Sequence, residues 1–210
     1  MPGPTTSSLT HAVAEACERL DLPDAEVRLW PAAFAAAEAS ECFRELRRAI
    51  DWRQEGVTVF GRRHAVPRLV AWHGDPGARY TYSGTSHEPL PWTPALERVR
   101  RRVQALAGCE FNAVLLNLYR DGRDGMGWHA DDEPELGPDP VIASVSLGAA
   151  RRFCLRRRRR GGLRVDLSLP HGSLLLMSGA TQRNWVHAVP KTAAPVGERI
   201  NLTFRRIALT

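Results

Sequence analysis

His129 and Asp131 stand two residues apart in Trp128-His129-Ala130-Asp131. In an extended segment both side chains leave on the same side. A further histidine, His187, lies in Trp185-Val186-His187-Ala188-Val189-Pro190, twelve residues before Arg199. Two imidazoles and one carboxylate make a facial triad suited to Fe(II), with open positions for co-substrate and oxygen. Hard oxygen plus imidazole fits iron or manganese better than zinc, and the four scattered cysteines offer no Cys-x-x-Cys spacing. A His-x-Asp pair alone carries little weight; its place ahead of a distal His and an arginine-rich strand carries more.

That strand is Arg199-Ile200-Asn201-Leu202-Thr203-Phe204-Arg205. Period two puts Ile200, Leu202 and Phe204 on one face, and Arg199, Asn201, Thr203 and Arg205 on the other. Guanidinium forks bind carboxylates bidentately, so two arginines around an asparagine suit a ligand with two carboxylates. Taken alone, the segment fits equally well an edge strand with a wet face. Asn117 and Tyr119 share one face of an upstream strand in the same way. Alternation turns Asp132 away from the ion if Asp131 faces it. His171, in Leu169-Pro170-His171-Gly172, reads as a structural turn histidine.

The elements that must position these residues are mostly short strands. They are expected over Val57–Phe60, Ala113–Arg120, Val141–Leu147, Arg152–Arg157, Leu163–Leu169, Ser173–Met177 and Arg199–Ile207, with Gly161-Gly162 as a hairpin turn. Many short strands with turn signals suggest a sandwich or barrel. One helix is expected over Ala32–Trp52, carrying Phe43, Leu46 and Ile50 at helical spacing, and a short one over His11–Leu20. A second long helix starts at Thr93-Pro94, buries Leu96, Val99, Val103 and Leu106, and ends at Gly108. Val57 to Arg68 reads as a hairpin with an apolar tip and basic flanks.

Composition fits one soluble domain of 210 residues with 43% hydrophobic and 25% charged content. No apolar run is long enough for a membrane span, and Met1 to Thr10 lacks the features of a signal peptide. The cysteines read as reduced thiols of a cytosolic protein. A net charge of +6 favours a polyanionic partner. Because every basic residue except Lys191 is arginine, only clusters are informative. Arg98 to Arg102 holds four arginines off the buried helix stripe and reads first as a solvated face; Arg156 to Arg160 is an unbroken run of five before the Gly-Gly turn, a place for phosphate contact.

From about Val57 to Ile207 the chain resembles the AlkB-like Fe(II)/2-oxoglutarate-dependent dioxygenases, which demethylate nucleic-acid bases. The matching pieces are Pro67-Arg68, Tyr80-Thr81-Tyr82-Ser83-Gly84, Asn117-Leu118-Tyr119, His129-Ala130-Asp131-Asp132-Glu133, Ser146-Leu147-Gly148, His171-Gly172-Ser173, Met177-Ser178-Gly179 and the closing strand. The resemblance implies an α+β, mainly β fold: a double-stranded β-helix, or jelly roll, braced by helices. It implies an N-terminal helical extension over 1–56, nucleotide-recognition hairpins over 57–91 and a catalytic core over 113–207. It selects His129, Asp131 and His187 as iron ligands, with 2-oxoglutarate and O2 as co-substrates. Arg205 and Asn117 would hold the C1 carboxylate; Arg199, Tyr119 and Asn201 would hold the C5 carboxylate.

The substrate implied is DNA, single- or double-stranded, with bases of the 1-methyladenine and 3-methylcytosine type, repaired by a cytoplasmic monomer. Tyr82 and His129 would stack on a flipped base, Tyr80 would reach phosphate or the base edge, and Ser83 and Arg68 would add contacts. Glu133, with Asp132, would accept from the exocyclic amine of a cationic base. Phe60 would be the wedge that fills the vacated stack, as in the double-strand-acting members; otherwise it is a core residue. The alternatives are an RNA or tRNA demethylase and a nucleic-acid-binding module without activity.

Overall fold

The computed structural model describes residues 16–59, 62–82, 85–159 and 162–208, and of 57–63 and 80–87 the backbone alone. In chain order the strands and helices are β1 (Glu18–Leu20), β2 (Glu26–Trp30), α1 (Ala36–Ala49), β3 (Gly56–Val59), β4 (Arg62–Ala65), β5 (Leu69–Gly74), β6 (Tyr80–Tyr82), β7 (Thr85–His87) and α2 (Pro94–Ala107). There follow β8 (Ala113–Tyr119), β9 (Met126–His129), β10 (Ile142–Gly148), β11 (Arg151–Arg157), β12 (Arg164–Leu169), β13 (Ser173–Ser178), α3 (Thr181–Asn184), β14 (Trp185–Val189) and β15 (Arg199–Arg205). They build a jelly roll from a seven-stranded sheet, β1-β2-β13-β10-β15-β8-β5, and a four-stranded sheet, β12-β11-β14-β9.

β15 lies between β10 and β8, and all seven of its residues are buried. The edge-strand reading of this segment is thereby overturned. Ile200, Leu202 and Phe204 join one core cluster with Leu46 of α1 and Leu96, Val99 and Val103 of α2. The opposite face of β15 looks toward the four-stranded sheet, where a second apolar cluster includes Phe153, Leu155, Leu169 and Trp185. Apolar burial on one face thus anchors the polar face in a dry interior, where charged groups persist only if they are paired.

α2 follows its sequence signals closely. Thr93 Oγ1 accepts the Leu96 N–H at 3.3 Å, and Gly108 ends the helix with φ 72°, a conformation that favours glycine. Three of its four arginines are engaged within the fold: Arg98 with Glu45, Arg100 with Asp75 and over the Trp92 ring, and Arg102 with the Ala33 carbonyl; Arg101 is exposed. α1 is shorter than the span 32–52, because Ala35 and Ile50 are extended at its two ends.

The N-terminal region departs most from expectation. The segment His11–Leu20 ends as a strand, Glu18–Leu20, and no strand was foreseen at Glu26–Trp30. β2 pairs with β13 along five residues, so the 1–56 region supplies one long helix and two strands of the main sheet. Short strands docking on a ready edge need no strong local pattern, and tertiary context overrides propensity there. The closing strand stops at Arg205 instead of Ile207, where the Asn112 side chain takes over both backbone groups of Ile207 at 2.7 and 2.8 Å. Within the stretch read as recognition hairpins, β3 pairs antiparallel with β4 and β6 with β7; Phe60 and Ser83 lie outside the described residues.

Candidate metal centre and diacid slot

β9 and β14 run antiparallel with His129 opposite His187, and Asp131 follows β9 directly. One ligand atom from each of His129, Asp131 and His187 lies within 4.8 Å of the others. The two imidazole centroids are 4.2 Å apart at 62°, and Phe153 stacks on His187 at 5.3 Å. His129 Nδ1 sits 2.9 Å from the Gly127 carbonyl, which fixes the ring and turns Nε2 toward the cluster. Burial and then the neighbouring His187 push the His129 pKa down to about 4, so it is a neutral donor near pH 7. Burial would raise the Asp131 carboxyl, but Arg205 and His187 outweigh it and hold the pKa well below the usual range. The cluster is therefore poised for a divalent cation before one arrives.

Arg205 Nη2 bonds one Asp131 oxygen, and Gln182 Oε1 accepts the Asp131 backbone N–H at 3.0 Å. Asp131 is 2% exposed, whereas Asp132 is exposed and pairs with Arg158, as alternation requires. His171 binds no other ligand candidate. It accepts from the Gly148 N–H at 2.8 Å and meets Ser40 Oγ at 3.0 Å, which makes it a structural turn histidine.

Beside the triad a slot is lined by Asn117, Tyr119, Ser144, Asn201, Thr203 and Arg205, closed on the apolar side by Phe153, Met177 and Val189. Register explains the lining: Asn117 faces Asn201, Tyr119 faces Arg199, and Ser144 faces Thr203 across neighbouring strands. Asn201 Nδ2 donates to Ser144 Oγ and the Val145 carbonyl at 2.8 and 3.0 Å, while Thr203 Oγ1 donates to Asn201 Oδ1 at 3.3 Å. Arg68 Nε donates to Asn117 Oδ1 at 2.7 Å.

Arg199 is 1% exposed, donates to Ser146 Oγ at 2.9 Å and lies over the Tyr119 ring at 5.2 Å. Its Nε and Nη1 have no hydrogen-bond partner among the described residues. Burial lowers its pKa, yet an arginine remains charged at any working pH. A buried cation with idle donors is costly unless an acceptor completes it, and a carboxylate is the acceptor a guanidinium edge holds best. The donor set of the triad and this guanidinium fit iron and a bound diacid.

A second cavity meets the slot at His129, Asp131 and Arg205. It is lined by Glu55, Arg68, Val70, Trp72, Leu115, Met126 and Glu133. Tyr80 and Tyr82 belong to the β6–β7 hairpin, of whose side chains nothing is described. Sequence reading passed over Ser144, Gln182 and the buried Arg151, and gave Ser146 no role. The serines were findable, since Ser144 and Ser146 alternate on a strand facing Asn201; Gln182 carries no local signal.

The family model described as the 2OG-Fe(II) oxygenase superfamily matches residues 26–205. The human "DNA oxidative demethylase ALKBH2" is 45% identical over 187 residues, which cover 84% of this chain and 72% of that one. The human "Alpha-ketoglutarate-dependent dioxygenase alkB homolog 3" is 40% identical over 190 residues, 86% of this chain and 66% of that one. The solved structure titled "The structure of OsALKBH1" superimposes with a TM-score of 0.62 at 18% identity, covering 91% of this chain and all of that one, and supports the fold. The chain belongs to the 2OG-Fe(II) oxygenase superfamily, on its AlkB-like side, and is an iron- and 2-oxoglutarate-dependent dioxygenase.

Proposed function

We propose that this enzyme repairs alkylated DNA by oxidative demethylation of bases such as 1-methyladenine and 3-methylcytosine. The observation that carries the reading is the junction of two cavities at His129 and Asp131, one lined by polar strand residues and Arg205, the other by apolar residues with Glu133 and Arg68. The likeness to relatives named as DNA oxidative demethylases supports it. Bound Fe(II), with 2-oxoglutarate and oxygen, would supply hydroxylation of the N-methyl group, after which formaldehyde leaves the restored base.

The chain's own residues bind, orient and exclude water. His129, Asp131 and His187 hold the iron. Arg205 and Asn117 receive the C1 carboxylate, and Arg199, Tyr119 and Asn201 the C5 carboxylate. Glu133 and Arg68 line the base cavity, and opposite charge at Glu133 favours a cationic methylated base. Asp132, paired with Arg158, has the weaker claim to the base. Tyr80, Tyr82 and Ser83 would reach the base, and Phe60, which follows β3 in sequence, would be the wedge. Among the described residues no helix is long and apolar enough to cross a membrane. All four cysteines are free, which supports a reducing cytoplasmic setting. We read 1–210 as one domain working as a monomer.

The test is release of formaldehyde from 3-methylcytosine in single-stranded DNA, duplex DNA and RNA, with iron and 2-oxoglutarate omitted in turn. The DNA reading expects turnover on DNA that needs both additions; turnover confined to RNA contradicts it. Loss of duplex activity alone in Phe60→Ala supports the wedge, and equal loss on all substrates rejects it.

A further inference from the structure

We propose that Arg151 is a positioning residue for the distal carboxylate of 2-oxoglutarate, acting through Tyr119. The proposal rests on the diacid-slot reading above. Arg151 opens β11, on the sheet opposite β8, and is 4% exposed. Its guanidinium lies over the Tyr119 ring at 5.6 Å, and Arg199 lies over the same ring at 5.2 Å. Two cations thus share one aromatic, Tyr119, which lines the slot.

The hydrogen bonds of Arg151 fix where that ring can sit. Nη1 donates to the Asp121 carbonyl at 3.1 Å, and Nη2 to the Asp124 and Pro190 carbonyls at 2.8 and 2.9 Å. The first two belong to the loop that leaves Tyr119 and leads to β9; the third follows β14. All three acceptors are backbone, while the Asp121 and Asp124 carboxylates of the same loop act on Arg151 only through space. Its hold on Tyr119 favours an anion beside Arg199 by fixing the ring. Arg151 touches neither the triad nor the diacid position, which makes it a support and not a contact.

Calorimetry on the protein loaded with Mn(II), a redox-inert stand-in for iron, tests this without turnover. Arg151→Ala should weaken 2-oxoglutarate about tenfold, the size of a buried cation–π contact, while Mn(II) affinity stays within about twofold. Arg151→Lys should recover part of the loss, and decides the matter if the alanine variant fails to fold. In a Tyr119→Leu background the Arg151→Ala effect should largely vanish. Unchanged 2-oxoglutarate affinity, a proportional loss of Mn(II) affinity, or full additivity with Tyr119→Leu overturns the proposal. Arg199→Ala separates the two layers: if it also leaves 2-oxoglutarate affinity intact, the slot assignment itself fails.

Discussion

The diacid slot and the cavity beside it share His129, Asp131 and Arg205, yet they are built in opposite ways. The slot is walled by three central strands, and its polar side chains are held by one another: Asn201 by Ser144, Arg199 by Ser146, Asn117 by Arg68. The neighbouring cavity shares Leu115 and Met126 with the slot and adds Val70, Ala71 and Trp72 around Glu133 and Arg68. A wall fixed by register suits one small ligand of constant shape. An apolar cavity with a few polar groups suits the flat reacting part of a larger substrate.

The largest expected effect strikes both regions together. Removing His187 or Asp131 as alanine should lower demethylation by about a thousandfold or more on every substrate, measured as formaldehyde release. Demethylation that survives either change would break the shared-junction account.

The next two predictions separate the regions. Arg199→Ala removes a buried charge-assisted contact of about 1.5–3 kcal/mol, so the KM for 2-oxoglutarate should rise roughly tenfold to a hundredfold. The KM for methylated DNA should stay near its original value. Glu133→Gln should do the reverse, weakening the cationic base by about tenfold and leaving 2-oxoglutarate binding intact. Steady-state kinetics with each substrate varied in turn reads both. If each variant disturbs both constants alike, the two cavities are one site.

A smaller effect concerns the third histidine near the core. His171→Ala should cost about 1 kcal/mol of stability through lost bonds to Gly148 and Ser40, visible in thermal unfolding, with iron binding unchanged. The smallest is a pH effect in the loop between Tyr119 and β9. Burial alone would raise the Asp124 carboxyl, but its bonds to Arg120 prevail and lower it. A lowered folded pKa means the unfolded chain binds the proton first, so this contribution is full above about pH 4 and fades as acid reaches the folded value. Asp124→Asn should flatten the acid limb of the melting temperature, leaving activity at pH 7 nearly unchanged.

The site was more legible in the sequence than the scaffold was. The convergence of His129, Asp131 and His187 and the shared polar face of β15 were readable because a strand repeats every second residue, so spacing in Arg199–Arg205 translates directly into one face. α2 was equally readable, since its cap, first-turn proline and terminal glycine are local signals. β1 and β2 were not: β1 has only three residues, and the alternation of Val27 and Leu29 with Glu26 and Arg28 in β2 is too short to stand out without the β13 edge it pairs with. β14 was missed although it carries His187, since Trp185-Val186-His187-Ala188-Val189 is apolar on both faces between two sheet neighbours. Arg151 hid in a chain whose arginines are too common to stand out singly.

The most direct test of the account is titration of 2-oxoglutarate into anaerobic Fe(II)-loaded protein, followed by its visible absorption and compared with His187→Ala and Arg199→Ala. A chelate band in the parent, lost without His187 and shifted to higher 2-oxoglutarate concentration without Arg199, is the predicted result. A band of unchanged strength and affinity in both variants would contradict it.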